Sequence, residues 1–261
     1  MACSTLSNPK IQRRCNVGVN ILGGSIGHGN NIVVCCSNHI YTYDADTLNR
    51  RCTSTAGGSY YDVCRINCNQ YAATDSRNKC IAIFDEHLCR VKSIGHFQYP
   101  HGICATSDGQ LLVTDKVAKC VYLVDSSNGS ICATIGQGQF CHPEHVAVNS
   151  NNVVFVTDYE ANVVKAFNMQ GCQLFSISTA GNCGGSQLCK PRGITIDKCD
   201  NIIITDFGNN RVIIFAHFGK FLQFLTTPSD QVNGPKVVLM DYRNNAVVGR
   251  NQELVTVDYL K

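Results

Sequence analysis

The chain has 261 residues, 44% of them apolar and 16% charged, with a formal net charge of +3. That composition is too apolar for a disordered chain, and its apolar runs are too short to span a membrane. The mild positive charge permits a nucleic-acid partner without demanding one, and Met-Ala-Cys-Ser lacks the charged start and apolar stretch of a secretory signal.

In chain order, the first β-prone run is KIQRRCNV, a strand without a unit of its own. Residues 31–44 then supply two strands, with Cys36-Ser37 at their turn. From there a four-run unit repeats. Its second run ends on Thr-Asp four times, at Thr74-Asp75, Thr114-Asp115, Thr157-Asp158 and Thr205-Asp206, spaced 40, 43 and 48 residues apart. The runs QYAATD, QLLVTD, VVFVTD and IIITD form this second strand, and CIAIFD, CVYLVD, VVKAFN and RVIIFA form the third. HGICATSDG, EHVAVNSNN and RGITIDKCD precede them, and LCRVKSIG, SICATIG, CQLFSIS and KFLQFLT follow. A last unit, KVVLMD, NAVVGR and ELVTVD, carries Gly249-Arg250 in the Thr-Asp place and lacks a fourth strand. The N-terminal run completes it.

Four-stranded units at this period predict an all-β chain, a six-bladed β-propeller of antiparallel blades closed by the N-terminal strand. Residues 1–261 then form one domain. The Thr-Asp carboxylates are expected to be structural, accepting loop N–H groups. Phe97 and Phe140 are expected to pack between blades.

The 17 cysteines are an odd number without any C-x-x-C spacing. Cys64 and Cys68 have no matching second pair, and Cys80, Cys104, Cys120 and Cys132 lie in apolar runs. They are expected to be reduced thiols filling strands. The run Cys141-His142-Pro143-Glu144-His145 has metal-ligand residue types, but its sister loops, HFQYPH and QLCKPR, show no repeated ligand pattern. No metal, cofactor or catalytic residue is expected.

The repeat resembles the NHL repeat. The fullest match, residues 190–225, shows Pro-x-Gly opening its first strand, Asp206 ending the second and Asn210-Arg211 leading into the third. Residues 99–115 match nearly as well, whereas His145 replaces the first-strand glycine in its unit. A propeller of this length is similar to the C-terminal domain of the TRIM-NHL family. That resemblance implies a cytoplasmic, non-enzymatic module of a post-transcriptional regulator, any RING ligase module lying outside this chain. It also implies single-stranded, U-rich RNA as the ligand.

Propeller geometry sorts the loops onto two faces. One collects Arg77, Lys79, Lys116, Lys119, Lys190, Arg192, Arg211, Lys236 and Arg250, and the other is mainly acidic. A phosphate backbone is drawn to the first. The rings of Tyr61, Tyr99, Tyr159 and Phe207 offer stacking, and Asn209 and Asn210 offer amides for base edges. His101 and His145 join Tyr61, Arg192 and Lys236 at the mouth of the central channel. These residues are the expected RNA site of a monomeric domain. Two alternatives stay open: a protein-docking platform for ligase substrates or partners in RNA-repression complexes, and a metal-dependent propeller enzyme like peptide-processing lyases.

Overall fold

The computed structural model describes residues 6–54, 57–179 and 187–260. Strand β1 is Leu6–Asn16. Blade 1 holds β2 Gly23–Ile26, β3 Asn31–Cys35, β4 Ile40–Asp44 and β5 Arg50–Thr53. Blade 2 holds β6 Tyr60–Arg65, β7 Gln70–Asp75, β8 Cys80–Asp85 and β9 Arg90–Ile94. Blade 3 holds β10 Pro100–Ala105, β11 Leu111–Asp115, β12 Cys120–Val124 and β13 Ile131–Ile135. Blade 4 holds β14 Pro143–Val148, β15 Val154–Asp158, β16 Val163–Phe167 and β17 Gln173–Ile177. Blade 5 holds β18 Pro191–Ile196, β19 Ile202–Asp206, β20 Arg211–Phe215 and β21 Phe221–Thr226. Blade 6 holds β22 Val237–Met240, β23 Ala246–Arg250 and β24 Glu253–Leu260.

The sheet order β1-β24-β23-β22 closes the ring as expected, with Ile11 opposite Val257 and Arg14 opposite Val255. The molecule is a six-bladed β-propeller. Each blade interface has its own apolar cluster. Phe155 of blade 4, for example, packs with Ile204 and Phe215 of blade 5, and Val212 of blade 5 with Val248 and Val255 of blade 6. The apolar patterning thus serves the seams between sheets, so both faces of the inner strands are buried. Phe97 and Phe140 are buried in such seams, as expected.

The Thr-Asp pairs are fully buried. Asp115 accepts the N–H groups of Gln98, Tyr99, Val117 and Ala118, and Asp158 those of Cys141 and His142. Each Asp therefore ties the loop entering its own blade to the end of the second strand. The threonines tie one blade to the next. Thr114 Oγ1 accepts Gly102 N–H at 2.7 Å and donates to the Glu144 carbonyl of blade 4 at 2.8 Å. Thr74 does the same between Asp62 and His101, and Thr157 between His145 and Arg192.

Two expectations change. Cys35-Cys36, one residue earlier than Cys36-Ser37, take the Thr-Asp place of blade 1. The Cys36 N–H meets the His39 carbonyl, which makes that turn two residues shorter than the Asp75–Cys80 turn. The described cysteines are free thiols, but only Cys35, Cys64, Cys80 and Cys120 are buried. Cys132 is exposed because β13 is an outermost strand with water on its outer side. Cys3 and Cys183 lie outside the described residues. Among the described residues, no helix is long and apolar enough to cross a membrane.

Replacing Thr114 with Val strands the Gly102 N–H and the Glu144 carbonyl in a dry interface. Urea unfolding is expected to show a loss of about 1–3 kcal/mol, with Thr114→Ser, which keeps the hydroxyl, losing clearly less.

Candidate functional site

The first strands of the blades, β2, β6, β10, β14, β18 and β22, line a central channel of about 380 Å³. Counted along these strands, the residues at the mouth are Tyr61, His101, Glu144, Arg192 and Lys236 in blades 2 to 6. The first four follow their strand's opening residue, whereas Lys236 directly precedes Val237, which opens β22, and the carbonyls of His101, Glu144 and Arg192 are gripped by the threonine of the preceding blade. His145 sits one residue deeper, beside Asp62 of blade 2.

Glu144 is the centre of the cluster and is 2% exposed. Its Oε1 accepts Lys116 Nζ at 3.0 Å and lies 3.5 Å from His142 Nδ1. Its Oε2 lies 3.2 Å from His101 Nδ1 and 3.6 Å from an Arg192 nitrogen. Burial alone would raise the Glu144 carboxyl, but the neighbouring His101, Lys116 and Arg192 outweigh it and hold it at about 2. Burial pushes the His101 imidazole well below its ordinary range, against the pull of Glu144. Burial likewise lowers His142 and Lys116. Tyr61 lies against His101, ring centroids 4.4 Å apart, and its hydroxyl meets that of Tyr99 at 2.8 Å. That hydrogen bond, with burial, raises Tyr61 to about 12.

Several buried polar atoms here have no hydrogen-bond partner: His101 Nε2, His145 Nε2, His142 Nδ1, Glu144 Oε2 and Arg192 Nε. Orphans of this kind cost stability, and their concentration at one spot makes the channel mouth the candidate site. His101 Nδ1 faces the Glu144 carbonyl at 3.2 Å. A carbonyl only accepts, so this nitrogen carries the proton and Nε2 keeps its lone pair.

Arg192 lies between Tyr159 and Phe207, its guanidinium carbon 5.9 and 5.5 Å from their ring centres, and Lys190 lies over Tyr159. Burial, with the Arg192 charge, lowers Lys236, whose Nζ bonds Asn20. The structure thus brings together Tyr61, Tyr99, His101, Lys116, His145, Tyr159, Lys190, Arg192, Phe207 and Lys236. Arg77, Lys79 and Lys119 are exposed in the turns between second and third strands. The others are engaged within the fold. Asn209 and Arg211 bond Asp206, Asn210 accepts Gly234 N–H, and Arg250 bonds Glu253.

Glu144 and Asp62 were absent from the expected site, and the run from Cys141 to His145 was expected to hold no metal. The structure brings Glu144 and His145 against His101 of the neighbouring blade, and one ligand atom of each lies within 4.8 Å of the others. One signal was available in the sequence: Asp62 and His145 both stand where 190–225 has its Pro-x-Gly glycine.

The NHL repeat profile matches residues 97–133 and 188–215. A probable peptidyl-alpha-hydroxyglycine alpha-amidating lyase of Caenorhabditis elegans is 30% identical over 114 residues, 40% of this chain and 33% of that protein. The chain therefore matches about a third of the length of that curated relative. In fold, it is similar to virginiamycin B lyase from Staphylococcus aureus, with TM-score 0.66 and 12% identity over 96% of this chain and 99% of that one. It is also similar to a chain of a nidogen/laminin complex, with TM-score 0.70 and 14% identity over 84% of each. A propeller with NHL repeats fits a binding platform. The expectation that the domain is not an enzyme is overturned by the lyase match. The repeat motifs behind that expectation report the blade scaffold, which enzymes and binding modules share.

Because the Glu144 carboxyl is held low in the folded protein, its ion pairs stabilise fully above the ordinary carboxylate range. They are lost as pH falls toward about 2. Glu144→Gln leaves Lys116 and Arg192 facing no charge, and urea unfolding at pH 7 is expected to lose about 3 kcal/mol. The difference from wild type should shrink steadily between pH 4 and pH 2.

Proposed function

We propose that the channel mouth is the active site of a lyase that cleaves a small, carboxylate-bearing peptide derivative of the peptidyl-α-hydroxyglycine type. The observation that carries this reading is the group His101, Glu144 and His145, buried and with Nε2, Oε2 and Nε2 left without hydrogen bonds. The lyase relative supports the same chemistry.

Two imidazole nitrogens and one carboxylate oxygen fit a divalent cation of the zinc class in donor type. His101, Glu144 and His145 would hold it. A bound ion would supply Lewis acidity at the substrate's oxygen. The chain's own groups do the rest. Arg192, clamped between two rings, receives the substrate carboxylate. His142, half-buried and lowered, is neutral at pH 7, so its Nδ1 takes the hydroxyl proton. The oxygen's electron pair closes a C=O bond and the C–N bond breaks. The departing nitrogen takes a proton from the Tyr61 hydroxyl, which is hydrogen-bonded to that of Tyr99 and protonated at this pH. The products are a peptide amide and glyoxylate.

Purified protein supplied with zinc is expected to release glyoxylate from a peptidyl-α-hydroxyglycine. His142→Ala should slow release about 100-fold, and Glu144→Gln should lose the metal by elemental analysis. Wild-type protein that binds zinc yet releases no glyoxylate would refute the reading.

A second reading is favoured by the rim. The same face carries exposed Arg77, Lys79, Lys119 and Lys190 beside the rings of Tyr99, Tyr159 and Phe207. We infer that single-stranded, U-rich RNA would lie there, as in a cytoplasmic, monomeric module of the TRIM-NHL type. Binding of a short oligo-U should weaken steeply with salt. The pair Arg77→Glu and Lys119→Glu should weaken it further, and Asp108→Lys on the opposite face should not. Binding that ignores both salt and charge reversal would sink this reading and leave a protein partner for that rim.

A further inference from the structure

One rung below the channel mouth, the first strands carry Gly23, Asp62, Gly102, His145, Gly193 and Val237 in blade order. Glycine alternates with a side chain around the ring. The cause is close approach. A Cβ on Gly102 would lie 2.4 Å from the Glu144 carbonyl and 2.6 Å from His145 Cα, and one on Gly193 2.7 Å from the Lys236 carbonyl. A strand carries a side chain at this rung beside a blade that has none.

Asp62 and His145 are the two polar members of the rung, 4% and 5% exposed. They meet across the space that Gly102 leaves, with His145 Nδ1 3.2 Å from Asp62 Oδ2. Asp62 is itself tied down on both oxygens. Oδ1 accepts the N–H groups of Gly24 in blade 1 and Val63, and Oδ2 accepts that of Ile103 in blade 3. A carboxylate secured by three blades can set the direction of the ring it touches.

We propose that Asp62 is a positioning residue. It holds the proton of His145 on Nδ1, so that Nε2 keeps its lone pair and presents it to the space shared with His101 and Glu144. An ionised carboxylate only accepts, so the nitrogen facing it must donate. The His101 ring is set the same way by the Glu144 carbonyl. One imidazole is thus oriented by backbone and the other by Asp62. The role in catalysis rests on the lyase reading above, but the tautomer does not. Outer groups of this kind typically change metal affinity or activity by about 10–100-fold.

The test is ¹⁵N-histidine NMR of the full chain at neutral pH with chelator present. His145 is assigned by the loss of its signals in His145→Gln. The expected spectrum shows His145 protonated at Nδ1 and bare at Nε2. In Asp62→Asn, whose amide can donate, it should shift to the opposite tautomer or a mixture. Asp62→Gly, which restores the glycine of sister blades, should give a mixture, and zinc affinity by calorimetry should fall about 10–100-fold in both variants. A wild-type His145 protonated at Nε2 would overturn the proposal, and this needs no variant to fold. Unchanged His145 signals in a folded Asp62→Asn protein would overturn it too. The tautomer is read without substrate, so a failure to release glyoxylate bears on the lyase reading alone.

Discussion

One threonine hydroxyl in each of three consecutive blades ties its sheet to the next. In blades 2 to 4 it accepts an N–H from its own innermost strand and gives its proton to a carbonyl of the next. A propeller has no hydrogen-bonded ladder between blades, so its seams rest largely on non-directional apolar packing. The hydroxyl adds direction. It fixes how far one blade rotates and slides against the next at the channel, where the strands lie closest.

That bond also places the site. The carbonyls it grips belong to His101, Glu144 and Arg192, the residues that converge at the mouth. The aspartate beside each threonine then secures the loop leading into the first strand of its own blade. Scaffold and site share one repeated device. The loop side chains can vary without loosening the backbone beneath them, which is how one fold carries many chemistries.

The mouth itself is expensive to build. Glu144 is buried against the part-buried Lys116 and Arg192, and five polar atoms of the cluster, one of them its own Oε2, have no hydrogen-bond partner. Buried ion pairs seldom repay their desolvation, and orphaned polar atoms never do. The apolar seams of six blades offset that cost. Preorganised charge and unshared lone pairs in a dry channel mouth are what acid–base or metal-assisted chemistry requires.

The Thr-Asp period, the missing fourth strand of the last unit and the spare N-terminal run together made the closed six-bladed ring legible in the sequence. Each is a local pattern of alternation and turn chemistry, and strands read locally. Much of the site was legible as well, since Tyr61, His101, Arg192 and Lys236 stand at repeat-equivalent positions. Glu144 and Asp62 were not. Glu144 looked like one acid among bases, because the sequence counts charges without placing them. Asn209, Asn210 and Arg211 looked available, yet they hold Asp206 and the loop at Gly234. The sequence alone determined the blade and its count, and it put Tyr61, His101, Arg192 and Lys236 at one mouth of the channel. Tertiary structure decided which side chains meet. His101 and Glu144 are 43 residues apart, and Asp62 and His145 are 83 apart across an intervening blade. Only the closure of the ring, with Gly102 yielding space between them, sets those groups within 3.2 Å.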